Sequence, residues 1–369
     1  MADLYPADRL TTAQQAADRA GLDALLLTPG ADLRYLTGYD AKPLERLTCL
    51  VLPTHGEPVL VVPRLERAAA TASPASMLGI EIATHEETDD AYALVAGILG
   101  APGTIGLANR MWAEQVLRFA AALPDAKQEL AGPALRELRM RKTPEEVDAL
   151  RRAGAAIDRV HNRMGEWLRA GRTEAEVGHD IADAILAEGH AQVNFVIVGS
   201  GPNGASPHHE LSNRIVLDGD PVVVDIGGSM PDGYCSDCTR TYAVGAPPQE
   251  FSDYYAVLQA AQQAACQVVR PGVTPESVDA AARDIIAAAG YGPQFIHRTG
   301  HGIGLEEHED PYIVGGNTEP LSVGNAFSIE PGIYLEDSHG ARIEDIVVVT
   351  EDGHTNLDPG CTRDLVVLD

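Results

Sequence analysis

The sequence predicts a mixed α/β protein of two domains, the second built on an internal pseudo-two-fold repeat. Three observations point there. Short apolar runs of strand length alternate with helix-length segments over roughly the first third of the 369 residues. A basic stretch followed by a strong helix-start signal then marks a junction near residue 136. Beyond it, two segments of similar sequence recur in the same order.

In the first domain, residues 1–135, Ala24–Leu27, Cys49–Leu52 and Val59–Val62 are strand-sized apolar runs. Thr54-His-Gly-Glu57 between the last two reads as a hairpin turn. Ala91–Leu99 and Trp112–Leu123 read as helices, and no cluster of catalytic residue types is seen in this domain. The run Arg136-Glu-Leu-Arg-Met-Arg-Lys142 is the expected junction, and the second domain takes residues 136–369. Thr143-Pro-Glu-Glu146 combines an N-cap Thr, a Pro at the first helical position and a Glu at the third. That capping box is expected to start a helix running through Leu168.

The repeat aligns Arg169-Ala-Gly-Arg-Thr-Glu-Ala-Glu-Val177 with Arg270-Pro-Gly-Val-Thr-Pro-Glu-Ser-Val278. Each is followed by a helix expected to end at a glycine, Gly189 or Gly290. Further on, Gly219-Asp-Pro-Val-Val-Val-Asp-Ile-Gly227 aligns with Gly324-Asn-Ala-Phe-Ser-Ile-Glu-Pro-Gly332. Asp225 thus falls opposite Glu330, and Asp237 and His208 pair roughly with Glu344 and His308. Two copies that each donate two carboxylates place a shared site near the axis relating them.

The formal net charge of −27 argues against nucleic acid or an anionic membrane as partner. No stretch approaches the ~20 apolar residues needed to span a bilayer. The N-terminal Met1-Ala-Asp-Leu-Tyr lacks the basic and apolar segments of a secretory signal. Five cysteines (49, 235, 238, 266, 361) fit free thiols in a reducing cytoplasm. Cys235-Ser-Asp-Cys238 has C-x-x-C spacing but no second pair and no following helix start, so structural thiols are expected. Gly300-His-Gly-Ile-Gly304 lacks the ending of a phosphate loop.

Asp225, Asp237, His301, Glu330 and Glu344 are the candidate metal ligands. Each sits at the end of a strand-like run or beside glycine. Four carboxylates and one imidazole suit two close divalent cations such as Mn²⁺ or Co²⁺. A carboxylate closing an apolar strand is costly to bury unless a cation neutralises it.

These motifs resemble the metal-dependent peptidase family that includes aminopeptidase P, prolidase and methionine aminopeptidase. The resemblance covers nearly the whole chain. It is carried by Leu33-Arg-Tyr-Leu-Thr-Gly-Tyr39, Leu138-Arg-Met-Arg-Lys-Thr-Pro-Glu-Glu146, Ser236-Asp-Cys-Thr-Arg-Thr241, Gly300-His-Gly-Ile-Gly-Leu305, Ser328-Ile-Glu-Pro-Gly-Ile333 and Arg342-Ile-Glu-Asp345. It implies a pita-bread catalytic domain behind a smaller creatinase-like domain, and two divalent cations, Mn²⁺ with Co²⁺ or Zn²⁺ as alternatives. Asp225 would chelate one cation, Asp237 and Glu344 would bridge both, and His301 and Glu330 would complete the second. Glu330 would also relay a proton. The interval from Asp225 to Asp237 is one residue longer than usual in the proline-specific members, and Ser229-Met-Pro-Asp-Gly233 is the turn expected to absorb it.

The resemblance further implies that His208 and His308 stabilise the oxyanion and that His297 lines the substrate pocket. His209 is an alternative to His208 if the register differs by one. His55, His85, His161, His179, His190, His339 and His354 read as surface or core residues. Arg342, two residues before Glu344 on a strand, is a candidate to orient a carboxylate or meet substrate. Tyr312 stands where prolidase relatives often carry an arginine for the substrate carboxylate. Arg46 is therefore a candidate for that carboxylate, reaching in from a neighbouring subunit of a homodimer, against the simpler reading of an ion pair with Glu45. The expected activity is hydrolysis of the Xaa-Pro bond of dipeptides by a cytoplasmic enzyme. The rivals are an Xaa-Pro aminopeptidase acting on longer peptides, a creatinase-like amidinohydrolase, and a non-catalytic binding protein on the same fold.

Overall fold

The computed structural model describes residues 4–369; Met1–Asp3, part of the stretch read for a secretory signal, lie outside the described residues. The chain divides into two compact units that meet between Arg139 and Met140. The junction expected at 135/136 falls inside a helix, Gly132–Met140, most of which belongs with the first unit.

The N-terminal unit is a six-stranded mixed sheet with helices α1 (Asp8–Arg19), α2 (Ala31–Thr37), α3 (Arg67–Ala72), α4 (Ala91–Leu99), α5 (Ala113–Ala122) and α6 (Gly132–Met140). Its strands are β1 (Ala24–Leu27), β2 (Cys49–Pro53), β3 (Val59–Pro63), β4 (Glu81–His85), β5 (Thr104–Leu107) and β6 (Lys127–Leu130), in the order β4-β3-β2-β1-β5-β6. The expected hairpin is present, since β2 and β3 pair antiparallel. Leu26, Val51, Val61 and Ile105 from the sheet pack with Tyr92, Val95 and Phe119 from α4 and α5.

In the C-terminal unit, Thr143 caps α7 (Pro144–His161): its hydroxyl accepts the Glu146 N–H and the Glu146 carboxylate accepts the Thr143 N–H. The helix stops at His161 rather than Leu168; a short 3₁₀ turn at Met164–Glu166 follows it. That turn folds Met164 and Leu168 back into the core cluster of the first half.

The repeat is visible as structure. Helices α8 (Glu174–Ala187) and α10 (Pro275–Ala288) each have 14 residues and a Thr cap, Thr173 or Thr274. Each is followed by a glycine at positive φ, Gly189 at 110° and Gly290 at 92°, where the chain turns away. The first half adds β7 (Gln192–Ser200), β8 (Pro221–Ser229) and β9 (Cys235–Val244). The second adds α9 (Gln249–Val268), β10 (Gly300–Gly302), β11 (Glu309–Ile313), β12 (Ala326–Ile329), the β13–β14 hairpin (Gly332–Leu335, His339–Arg342), β15 (Asp345–Thr350) and β16 (Gly353–Asn356). The last strand, β17 (Val366–Leu368), returns to the first half and pairs with β9, so the two sheets run β17-β9-β8-β7 and β11-β10-β12-β15-β16. Each half has its own core: Ile157, Ile181, Val224 and Tyr242 in one, Phe251, Leu258, Phe327 and Val347 in the other. Among the described residues no helix is long and apolar enough to cross a membrane.

His161 closes the first core. Its Nε2 lies 3.0 Å from the Cys238 carbonyl and its Nδ1 2.9 Å from the Tyr242 hydroxyl. A neutral ring satisfies both, with Nε2–H donating to the carbonyl and the tyrosine donating to Nδ1. Burial, helped by nearby Arg240, pushes the ring from its ordinary 6.5 down to about 3. The unfolded chain therefore binds a proton that the folded chain refuses. This contribution to stability is intact above pH 6.5 and is lost as pH falls toward 3. Denaturant midpoints should fall over that window, and His161→Gln should flatten the fall; a variant as acid-sensitive as the parent would assign the effect to other groups.

Candidate metal centre

Two antiparallel strand pairs carry the acidic residues. In the β8–β9 ladder, Asp225 lies opposite Thr239 and Asp237 opposite Gly227, with no register shift from Pro221 to Ser229. The loop Met230–Tyr234 holds the hairpin's connection, so the longer interval is absorbed there and Asp237 keeps its face. In the second half, β12 pairs with β15 through Ile329 and Asp345, which puts Glu330 and Glu344 at the adjoining ends of these strands. The Glu344 N–H donates to the Thr239 carbonyl at 3.1 Å, joining the two strand pairs.

His301 occupies the middle of β10, between two glycines that admit no side chain. A Cβ on Gly300 would lie 1.8 Å from the Ser328 carbonyl oxygen, and one on Gly302 would lie 2.1 Å from that of Asp310. The Gly-His-Gly motif is thus a close-packing requirement that lets β10 deliver one imidazole between its neighbours.

The five residues converge. Ligand atoms of Asp237, His301 and Glu344 lie within 4.8 Å of one another. His301 Nε2 is 3.2 Å from Glu330 Oε1 and 3.6 Å from Asp237 Oδ2. Its Nδ1 lies 3.2 Å from the Gly302 carbonyl, a contact that needs Nδ1 protonated. In the neutral ring the Nε2 lone pair then faces two carboxylate oxygens, which is the arrangement of a metal ligand. Asp225 Oδ1 and Glu344 Oε1 are buried without a hydrogen-bond partner. Two orphaned acceptors beside a bare imidazole nitrogen fit divalent cations, and no side-chain donor from the protein serves those atoms.

The charge balance agrees. Burial, then Glu344, Asp225 and Glu330, hold the Asp237 carboxyl well above its usual range. Burial, then Glu330 and Asp225, do the same to Glu344. Burial also opposes ionisation of Glu330, but His301, His297 and Arg342 outweigh it and bring that carboxyl to about 2. Glu330 is thus offset within the protein and Asp225 is paired with Arg342, while Asp237 and Glu344 ask for a metal.

Arg342 and Tyr334 brace this cluster. Arg342 Nη2 donates to Asp225 Oδ2 at 2.6 Å, Nη1 to the Tyr334 hydroxyl at 2.7 Å and Nε to Thr239 Oγ1 at 3.1 Å. Thr239 in turn donates to Glu344 Oε2 at 2.8 Å. His297 Nε2 meets the Tyr334 hydroxyl at 2.9 Å, and its Nδ1 meets the Arg298 carbonyl at 2.7 Å. Arg342 and His297, expected at the substrate, make these contacts within the protein.

His208 and His209 part company. His209 Nε2 donates at 2.7 Å to Glu174, a wholly buried carboxylate at the start of α8. His208 is exposed and lies near both His297 and His308. The His308 ring stacks on His301 with centroids 4.0 Å apart. Loss of hydration, then His301 and Arg298, push His308 down to about 4, so it is a neutral donor at physiological pH.

Tyr312 carries the Arg298 guanidinium over its ring at 4.4 Å. Arg298 had no signal in the sequence beyond standing beside the Gly-His-Gly motif. Arg46, in the N-terminal unit, bonds Glu87 and Glu45 at 2.8 and 2.6 Å on the surface. This is the ion pair that competed with a role in carboxylate recognition.

Two predictions follow from the bracing. Asp237→Ala or Glu344→Ala should leave a folded protein that has lost bound metal and activity; full activity in a metal-free preparation would refute the site. Thr239→Val should weaken metal affinity by about 10–100-fold in a chelator competition, as expected for removing a ligand's hydrogen-bond partner; unchanged affinity would make Thr239 a packing residue.

Residues 148–351 match Metallopeptidase family M24, and residues 9–141 match the Creatinase/Prolidase N-terminal domain. The chain is 54% identical over 368 residues to the probable dipeptidase PepE of Mycobacterium tuberculosis, covering 100% of this chain and 97% of that one. It is 35% identical to the Xaa-Pro dipeptidase of Lactobacillus helveticus, covering 94% and 96%. Its structure superposes on the dipeptidase PepE of Mycobacterium ulcerans with a TM-score of 0.94 at 54% identity, covering 100% and 98%. A pita-bread domain with a candidate metal-ligand cluster, preceded in sequence by a creatinase-like domain, makes this chain a peptidase of metallopeptidase family M24.

Proposed function

We propose that the protein is a dinuclear-metal Xaa-Pro dipeptidase. The observation that carries this reading is the buried cluster of Asp225, Asp237, His301, Glu330 and Glu344 with its orphaned oxygens, flanked by a neutral His308 and by Arg298 over Tyr312. Asp225 would hold one cation, His301 and Glu330 the other, and Asp237 and Glu344 both. When bound, the cations supply Lewis acidity and a water acidified enough to attack near neutral pH. The oxygen-rich donor set favours Mn²⁺ among the candidates.

The chain's own residues carry the remaining work. Glu330, ionised and hydrogen-bonded by Ser328 at 3.0 Å, accepts the proton of the attacking water and returns it to the departing proline nitrogen. His208 and His308 donate to the carbonyl oxygen of Xaa as it gains charge. We assign the free carboxylate of the dipeptide to Arg298 rather than Arg46. Stacking on Tyr312 fixes the guanidinium plane while leaving its donors available, whereas Arg46 is committed to Glu45 and Glu87. A cytoplasmic location is supported by five free cysteines. A homodimer is supported by Met77, Trp112 and Leu117 exposed on the N-terminal unit.

The test is hydrolysis of an Xaa-Pro dipeptide, an Xaa-Pro tripeptide and creatine, each with and without Mn²⁺. Activity confined to the dipeptide with metal is expected. A preference for the tripeptide would make the enzyme an aminopeptidase, and turnover of creatine without metal would make it an amidinohydrolase. His208→Ala and His308→Ala should each lower kcat by about 10²–10³-fold with metal content retained. Arg298→Ala should raise KM for the free-acid dipeptide and leave the amidated one nearly unchanged; equal effects on both would remove Arg298 from substrate recognition.

A further inference from the structure

Strand β9 has a second chemical face. Asp237, Thr239 and Thr241 point one way, and Cys238, Arg240 and Tyr242 point the other, as the strand period requires. The Cys235–Cys238 spacing seen in the sequence is therefore not a pair, because the two thiols leave the strand on opposite sides. The partner of Cys238 is Cys361, with its Sγ 3.8 Å away. A carboxylate oxygen of Asp158, from α7, completes a group whose ligand atoms all lie within 4.8 Å of one another.

We propose that Asp158, Cys238 and Cys361 form a binding site for a thiophilic divalent cation, Zn²⁺ by size and geometry, separate from the carboxylate cluster. The sulfur separation fits it. Two thiolates on one tetrahedral Zn²⁺, each at about 2.3 Å, stand about 3.8 Å apart, whereas a disulfide needs about 2.05 Å. The acceptor is prepared. Asp158 is 3% exposed, its Oδ1 meets no donor within hydrogen-bond geometry, and its carboxylate lies beside the two thiols. Its Oδ2 accepts the Gly360 N–H at 2.6 Å, which fixes the carboxylate as an outer-sphere hydrogen bond fixes a metal ligand.

The third ligand is clamped as well. Arg240 donates to the carbonyls of Cys361 and Thr362 at 3.1 and 2.8 Å, and Asn162 donates to that of Gly360 at 3.0 Å. Arg240 is itself paired with Asp345 at 2.7 Å, so its part here is to hold the Cys361 segment in place. A cavity of about 220 Å³, lined by His161, Arg240, Cys361 and Thr362 among others, opens onto Cys361. It reaches the cluster from the Cys361 side; Asp158 and Cys238 do not line it. On binding, the two thiols release their protons to solvent and form two metal–sulfur bonds, with no change of oxidation state.

The test is a titration of the reduced full-length chain with Cd²⁺, read as thiolate-to-metal charge-transfer absorption in the near ultraviolet. Carboxylates and imidazole give no such band, so the catalytic cluster is silent. With the carboxylate cluster already loaded with Mn²⁺, one equivalent of Cd²⁺ should saturate the signal, and Cys361→Ser should lower it at least tenfold while hydrolysis persists. Cys238→Ser should also abolish it; because that residue lies within β9, the surface-segment Cys361→Ser keeps the test decisive if the strand variant misfolds. Asp158→Asn should weaken the affinity. A band that survives Cys361→Ser, no band with all five thiols titrating as free, or a Cys238–Cys361 disulfide in the isolated protein would each overturn the proposal.

Discussion

Four carboxylates brought to one buried point repel one another and lose their hydration, and the fold must answer that charge. The protein answers part of it. Arg342 is spent on Asp225, and His301 and His297 favour the ionised form of Glu330. Asp237 and Glu344 receive no protein donor equal to their charge; Thr239 serves one oxygen of Glu344, and the other is orphaned. The strand registers, the glycines around His301 and the Arg342–Tyr334–His297 chain all hold this imbalance in place. A cation then completes an arrangement that the protein alone leaves short of positive charge.

The bracing is also selective. Hydrogen bonds converge on one oxygen of Asp225 and one of Glu344, leaving the other oxygen of each exposed to the centre. A carboxylate with one oxygen tied cannot rotate away or pair with a stray side chain. Arg342, Thr239 and Tyr334 thus contribute by restricting the ligands rather than by touching substrate, and their burial suits that task.

What was legible in the sequence was what strand period and local motif control. Asp225, Asp237 and Glu344 could be placed because a carboxylate on a strand of known register has one of two faces to choose. The capping box at Thr143 and the equal lengths of α8 and α10 were likewise local. The end of α7 was not: the apolar pattern continues past His161, and the chain leaves the helix to fold Met164 and Leu168 into the core. Tyr334 carries no motif of its own and matters because it lies between His297 and Arg342. Arg298 and Cys361 were missed for the same reason, since their partners stand 14 and 123 positions away in the chain. The choice between His208 and His209 turned on Glu174, a buried carboxylate that sequence spacing does not reveal.

The bond from the Glu344 N–H to the Thr239 carbonyl joins two halves that each bring two acids. Neither half holds a complete ligand set. A chain of half this length, with one helix pair and one acidic strand pair, would have to associate with a second copy of itself to gather the same four carboxylates. Joining the copies in one polypeptide removes that dependence on concentration. It also frees each half to diverge: the imidazole of His301 comes from the second half alone, and with it the two sides of the cluster cease to be equivalent. The duplicated architecture therefore allows what a symmetric pair of identical halves could not, a site whose two sides carry different donors.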